Sequence, residues 1–278
     1  MSWLSRTETL IGEENIKKLA ESHVLVVGLG GVGSFAAEYI ARSGIGKMTI
    51  VDGDTIEFTN RNRQLPALVS SEGQSKALYM AERLKDINPN IILNVVNEYL
   101  NVEKMQQLFV NETTPLATAS PSLKGGEQTP LLKKEGLAVA SGVVFDYVID
   151  AIDTIAPKIM LIRNCLDNKI PLVSAMGAGG RFDPEKIKIA PIWKTKNCQF
   201  AQQIRKNLRQ IGITHNKGQD FMAVFSEELP DISRMKLVEN QLHKKSYLGT
   251  ISYMPSLFGA FCASVVIRNI IANHPSVA

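Results

Sequence analysis

Apolar residues fall along this chain in two alternating textures. Short aliphatic runs at 23–27 (HVLVV), 47–51 (KMTIV), 91–96 (IILNVV), 145–150 (FDYVID) and 171–174 (PLVS) have the near-continuous hydrophobicity of strands buried on both faces. Between them, 13–21, 34–42, 73–87, 102–109 and 157–167 carry apolar residues at three-to-four-residue spacing and are read as helices. Gly44 and Gly46 close the 34–42 helix, and Asn88-Pro89 stops the one over 73–87. Strand and helix in alternation predict βαβ units. The expected fold is α/β and Rossmann-like, a mainly parallel sheet with helices on both faces and a C-terminal extension over 181–278.

The pattern lapses over 111–142, which is rich in Thr, Pro, Ser, Gly and Lys and reads as a surface insertion within a single domain over 1–278. Order returns, and the extension holds a basic amphipathic helix near 199–210, short strands and a long apolar run over 254–271. That run approaches the length of a membrane span. Pro255, Gly259, Ser264 and Arg268 interrupt it, so a buried terminal helix is the preferred reading and membrane association the lesser one.

Composition narrows the setting. At 45% hydrophobic residues, 278 residues suffice for a sizeable core. A net charge of +4 permits a polyanionic partner without demanding one. Cys165, Cys198 and Cys262 are scattered and odd in number, which suits a reducing compartment. No CxxC pair exists from which to build a structural zinc site. The opening residues lack a basic-then-apolar leader, so a cytoplasmic location is expected.

Chemistry is concentrated after the strands. Gly28, Gly30 and Gly33, with Gly31 between them, form GxGxxG between a strand and a helix. Glycine there permits a tight turn and lets backbone N–H groups approach phosphate at the positive end of the helix. Asp52, about twenty residues on, ends the next strand and is placed to accept bonds from a ribose. This much fits NAD as well as ATP. Downstream, Asn60, Asn62, Arg63 and Lys76 offer side-chain donors and cations to β- and γ-phosphates, a need of pyrophosphate displacement that dinucleotide binding does not share. Asp153 follows a further strand, at the edge where such sheets bind ligands, and could hold Mg²⁺. Singly, Arg63 and Lys76 read as solvated charges and Asp153 as a helix N-cap; together they favour a triphosphate.

These residues carry a resemblance. VVGLGGVGS at 26–34, VDGD at 51–54, NRNRQ at 60–64, QSK at 74–76 and DAID at 150–153 resemble the ubiquitin-activating-enzyme superfamily, which includes enzymes that adenylate sulfur-carrier proteins. Within it, RTE at 6–8, RQLPAL at 63–68, AMGAG at 175–179, Asp183-Pro184 and Lys194-Thr195 resemble the tRNA threonylcarbamoyladenosine dehydratases. The resemblance implies ATP-dependent ring closure of N6-threonylcarbamoyladenosine beside the anticodon. The threonyl carboxylate attacks the ATP α-phosphate, pyrophosphate leaves, and the neighbouring carbamoyl group displaces AMP, with net loss of water. It also implies that Gly28, Gly30, Gly31, Gly33, Asp52, Asp54, Asn60, Asn62, Arg63, Gln64 and Lys76 bind ATP, with Asp153 on Mg²⁺. Arg6 would reach a partner's nucleotide across a homodimer in which the terminal apolar helix takes part, and a sulfur-relay protein is a further partner of this class.

Cations without any carboxylate run from 193 to 218: Lys194, Lys196, Arg205, Lys206, Arg209 and Lys217. Such a stretch could track tRNA phosphates, although a solvated helix face is its commoner meaning. Three rival readings remain at this stage: adenylation of a carrier protein's C-terminal glycine, an NAD-dependent oxidoreductase, and a nucleotide sensor without turnover.

Overall fold

The computed structural model describes residues 2–109, 145–215, 219–230, 236–237 and 246–272. The predicted insertion over 111–142 and Lys217 lie outside the described residues.

Two helices, α1 (Ser5–Ile11) and α2 (Glu13–Glu21), precede β1 (His23–Val27). The chain continues through α3 (Gly33–Arg42), β2 (Lys47–Val51), α4 (Lys76–Ile87), β3 (Ile92–Val96), α5 (Val102–Phe109), β4 (Tyr147–Asp150), α6 (Ile155–Asp167) and β5 (Leu172–Ala175). Beyond these come β6 (Ile187–Pro191), α7 (Gln199–Gln210), β7 (Met222–Ser226), a small ribbon of β8 (Lys236–Leu237) and β9 (Ser246–Tyr247), and α8 (Tyr253–Ala272).

The sheet runs β3-β2-β1-β4-β5-β7-β6, and all its pairings are parallel except that of β6, an edge strand, with β7. From β1 the chain first builds outward through β2 and β3, then resumes on the other side with β4. The direction of winding therefore reverses between β1 and β4, which opens a crevice at their carboxyl ends.

Side-chain alternation splits the core into two layers. Val24 and Val26 of β1 pack with α3, α4 and α8, whereas Leu25 and Val27 pack with α5, α6 and α7. Each fully buried aliphatic side chain contributes about 1.5–3 kcal/mol, and with both faces covered the strands need no polar alternation. His23 takes a structural place at the start of β1: its ring bonds Thr49 Oγ1 at 2.9 Å and meets Phe145 edge-on.

The terminal apolar run is the 20-residue α8, long and apolar enough by length and composition to cross a membrane. In the fold it lies on the α3 side of the sheet and buries Met254, Phe258, Cys262 and Val266. Gly259 permits this approach, because a Cβ there would stand 2.5 Å from the Val32 carbonyl oxygen.

Three boundaries differ from the pattern. Helix α1 was not foreseen; its sequence, SRTETLI, carries little apolar periodicity and buries no residue fully. Helix α4 starts at Lys76 rather than residue 73, since Gly73 has φ +82° and Ser75 caps the helix by accepting the Leu78 N–H. Helix α6 starts at Ile155, with Pro157 accommodated in its first turn.

Candidate active site

The glycine turn spans the crevice between β1 and β4. Gly28 has φ +87°, and a Cβ on it would lie 2.9 Å from the Ala151 carbonyl oxygen. A Cβ on Gly33 would fall 1.7 Å from the Gly28 carbonyl oxygen, so the turn closes on itself only without side chains at both positions. Gly31 lies against Pro255 of α8. Gly30 is different: its nearest neighbour is the Gln64 amide, 3.7 Å from a built Cβ, so its bareness leaves room rather than relieving a clash. Helix α3 begins at the end of this turn and directs its N-terminal backbone toward it.

Asp52 ties the turn to the end of β2. Its Oδ2 accepts the Leu29 N–H at 2.6 Å and its Oδ1 the Asp54 N–H at 2.8 Å. Burial pushes its carboxyl above the usual range, while Lys76 and the two backbone donors pull the other way. Lys76 is 5% exposed and its ammonium lies 2.7 Å from Asp54 Oδ2. Asp54 Oδ1 accepts the Tyr99 hydroxyl at 2.7 Å, and that bond and the carboxylate's charge push the phenol up to about 12. Asp54, Lys76 and Tyr99 thus form one chain, of which Tyr99 had no sequence signal.

The 60–64 segment is preformed. Asn60 is buried, and its side-chain oxygen accepts the Glu57 N–H at 3.2 Å as a turn cap. Arg63 Nη1 donates to Thr59 O at 3.1 Å and to Asn62 Oδ1 at 2.7 Å, while Asn62 Nδ2 donates to Thr250 O at 2.9 Å. Gln64, its amide beside Gly30, has a buried Oε1 without a partner among the described residues. That oxygen can accept from a hydroxyl or amino group of a nucleotide, and the Nε2 beside Gly30 can donate to its phosphates.

On the β4 side, Asp153 is exposed in the short loop between β4 and α6. It is not the helix N-cap weighed above, because that position falls to Thr154. The loop is braced from inside by an ion pair the sequence reading missed, Lys158 with Asp150, at 2.9 Å and with neither side chain exposed. Asp150 also accepts the Ser174 hydroxyl at 2.6 Å and the Ile152 N–H at 3.1 Å, and Lys158 donates to Ile152 O at 2.9 Å. The only sequence clue was a lone lysine on the inner face of a largely apolar helix. Among the described residues there is no cluster of three metal-ligating side chains. Asp153 alone still suits Mg²⁺ carried by a nucleotide, since phosphates and water complete such a shell.

Residues 4–277 match the ThiF family. The chain belongs to the ThiF family. It is similar to the tRNA threonylcarbamoyladenosine dehydratase of Bacillus subtilis, at 37% identity over 276 residues covering 97% of this chain and 94% of that protein. The dehydratase of the same name from Escherichia coli is 37% identical over 219 residues, covering 77% of this chain and 70% of that one. A solved structure of Escherichia coli tRNA N6-threonylcarbamoyladenosine dehydratase in complex with ATP superposes with a TM-score of 0.75 at 31% identity, covering 97% of this chain and 94% of that one.

This ThiF-family chain also carries the predicted basic residues, which do not form one uniform face. Lys194 and Lys196 are exposed and, with Lys188 and Trp193, line a cavity of about 530 Å³ along edge strand β6. Arg209 stacks over the Trp193 ring at 5.1 Å, and Lys206 is exposed on α7. Arg205 is turned inward, donating to Thr195 Oγ1 and the Ile192 carbonyl. Lys188 was not among the sequence candidates because it precedes the carboxylate-free run. Arg6 is exposed on α1, and Leu4, just before that helix, packs against Gly44 ahead of β2, at the sheet edge opposite the nucleotide turn. The fold does not bring it to the site of its own chain.

Proposed function

We infer that this chain is an ATP-dependent tRNA-modifying enzyme that cyclises N6-threonylcarbamoyladenosine, with loss of water, through an acyl-adenylate. The observation that carries this reading is similarity to proteins of that activity over nearly their whole length, one of them solved with ATP, joined to a glycine turn at the β1–β4 crevice that fits the nucleotide.

The chemistry follows from the groups at that edge. ATP is a substrate: the turn of Gly28, Gly30, Gly31 and Gly33 cradles its phosphates, Asp52 accepts from its ribose, and Asn60, Asn62, Arg63 and Gln64 surround the leaving pyrophosphate. Lys76 holds the transferring phosphoryl group, and Asp54, 2.7 Å from its ammonium, keeps it aimed until then. Asp153 would hold Mg²⁺, which would neutralise triphosphate charge when bound. Once the carboxylate oxygen has bonded to the α-phosphorus and pyrophosphate has left, the tethered carbamoyl group attacks the acyl carbon and AMP departs. No enzyme nucleophile is needed because the attacker is already held at high effective concentration.

The surrounding parts of the reading are ours as well. A homodimer buries the outward face of α8, where Leu257, Phe261 and Ile267 remain partly exposed in the single chain, and supplies Arg6 to the partner's nucleotide. Lys188, Lys194, Lys196, Lys206 and Arg209 meet tRNA phosphates. A cytoplasmic location and a sulfur-relay partner belong to the same proposal.

The test incubates the purified protein with ATP, Mg²⁺ and tRNA bearing threonylcarbamoyladenosine, then weighs the nucleosides after mild digestion. Loss of one water from that nucleoside, with AMP formed and both abolished by Asp153→Ala, is the expected result. An unchanged nucleoside from protein that binds ATP would overturn the substrate assignment.

A further inference from the structure

Arg181 is a buried cation with no counter-charge among the described residues. It follows the glycine-rich turn at the carboxyl end of β5, is 5% exposed, and makes one hydrogen bond, from Nη2 to the Asn197 carbonyl at 3.1 Å. Its Nε and Nη1 are buried with no partner among the described residues. Two carboxylates of the adjoining segments bond backbone: Glu228 Oε2 accepts the N–H groups of Phe182 and Asp183, and Asp183 Oδ1 accepts that of Glu185. A guanidinium withdrawn from water is costly unless an anion meets it, so orphaned donors of this kind call for a ligand.

The backbone holds Arg181 in that state. Gly180, at φ +70°, donates to the Gly249 carbonyl at 2.8 Å on one side, and the Tyr253 hydroxyl donates to the Phe182 carbonyl at 2.7 Å on the other. The same 249–250 segment accepts the Asn62 amide, which connects the Arg181 turn to the phosphate-side residues. Gly177 and Gly179 in this turn have no steric need to be glycine. Built Cβ atoms would sit 3.4 Å from Phe200 and 3.5 Å from Leu248, ordinary contact, and neither has a positive φ.

We propose that Arg181 is the anion-receiving group of the RNA-substrate subsite, its Nε–H and Nη1–H fork donating to an oxyanion of the modified tRNA. Two parallel donors match carboxylate and phosphodiester oxygens alike, so the threonyl carboxylate and the tRNA backbone share this chemistry. The oxyanion reaches the fork by displacing the packing around the turn, where Gly180 lies against Pro230 and Leu248. This inference rests on the proposed tRNA substrate.

The experiment compares wild type with Arg181→Met, which keeps the aliphatic stem, and Arg181→Lys, which keeps the charge without the fork. Arg181→Met should lower kcat/KM for modified tRNA by at least about tenfold, the loss of a charge-assisted pair, with KM for ATP unchanged. Its melting temperature should equal or exceed that of wild type, because an uncompensated buried charge has gone. Arg181→Lys should fall between. Free threonylcarbamoyladenosine as inhibitor separates the sources: loss of inhibition in Arg181→Met assigns the carboxylate, and equal inhibition assigns the phosphodiester. Unchanged kcat/KM for tRNA, or a joint fall in melting temperature and ATP affinity, would overturn the subsite. Turnover by wild type tests the proposed function separately. Should wild type be inert, filter retention of the modified tRNA still decides, since equal binding by wild type and Arg181→Met rejects the subsite.

Discussion

Lys158 and Asp150 form an ion pair 2.9 Å long with neither side chain exposed to solvent. Four bonds meet there, and two of them involve Ile152, so the pair clamps the loop that carries Asp153 and lies behind Gly28. Removing one partner leaves the other charge buried and unpaired. Lys158→Met or Asp150→Asn should each cost about 3–5 kcal/mol in urea unfolding, whereas Lys158→Met combined with Asp150→Leu should recover most of that loss. Additive losses in the double variant would contradict this account.

Glycines of the nucleotide turn should separate folding from binding. Gly33→Ala forces a Cβ to 1.7 Å from the Gly28 carbonyl oxygen and should disrupt the turn and the start of α3. Gly30→Ala has room and should shift stability by less than about 1 kcal/mol. Its methyl stands where phosphate approaches, so KM for ATP should rise sharply. Thermal melting beside steady-state kinetics checks both, and equal damage to stability in the two variants would refute the distinction.

Asp52 should trade stability for function. Burial raises its folded pKa above the ordinary 3.8, so between those two values the native state holds more protons than the unfolded chain. Stability attributable to this group therefore falls as pH rises through that window and stays lower above it. Asp52→Asn should therefore gain stability relative to wild type as pH rises from 4 to 7, against a constant loss because its amide accepts only one of the Leu29 and Asp54 N–H groups. Its ATP affinity should drop by roughly tenfold or more, the worth of a charged hydrogen bond to ribose. Urea titrations at the two pH values and nucleotide binding measure each half.

Tyr99 provides a spectroscopic reading of the Asp54 network. Its phenol is held up to about 12 by donating to Asp54 and by that carboxylate's charge. Absorbance at the tyrosinate band should show one tyrosine ionising late, and Asp54→Asn should move it back toward 10. No change in the late phase on that substitution would break the assignment.

Local order accounts for what could be read in advance. The strand–glycine turn–helix unit over 23–42, the acidic end of β2 and the alternation that makes the sheet parallel all depend on residues close together in the chain, where period and steric need leave a direct trace. The start of α4 was misplaced because an amphipathic period does not register a left-handed Gly73 or the Ser75 cap.

Residue order thus established an α/β nucleotide-binding chain and its candidate phosphate groups, because glycine, carboxylate and cation chemistry act at short range. Tertiary structure alone decided which charges are spent and which remain. Asp150 meets Lys158 and Ser174 only because β4 and β5 pair over α6, Arg205 turns inward only because the 192–195 turn folds under α7, and Arg181 keeps two donors unfilled among the described residues, where Glu228 and Asp183 bond backbone instead. Burial sets the cost of each such charge, and burial arises from contacts between residues far apart in sequence.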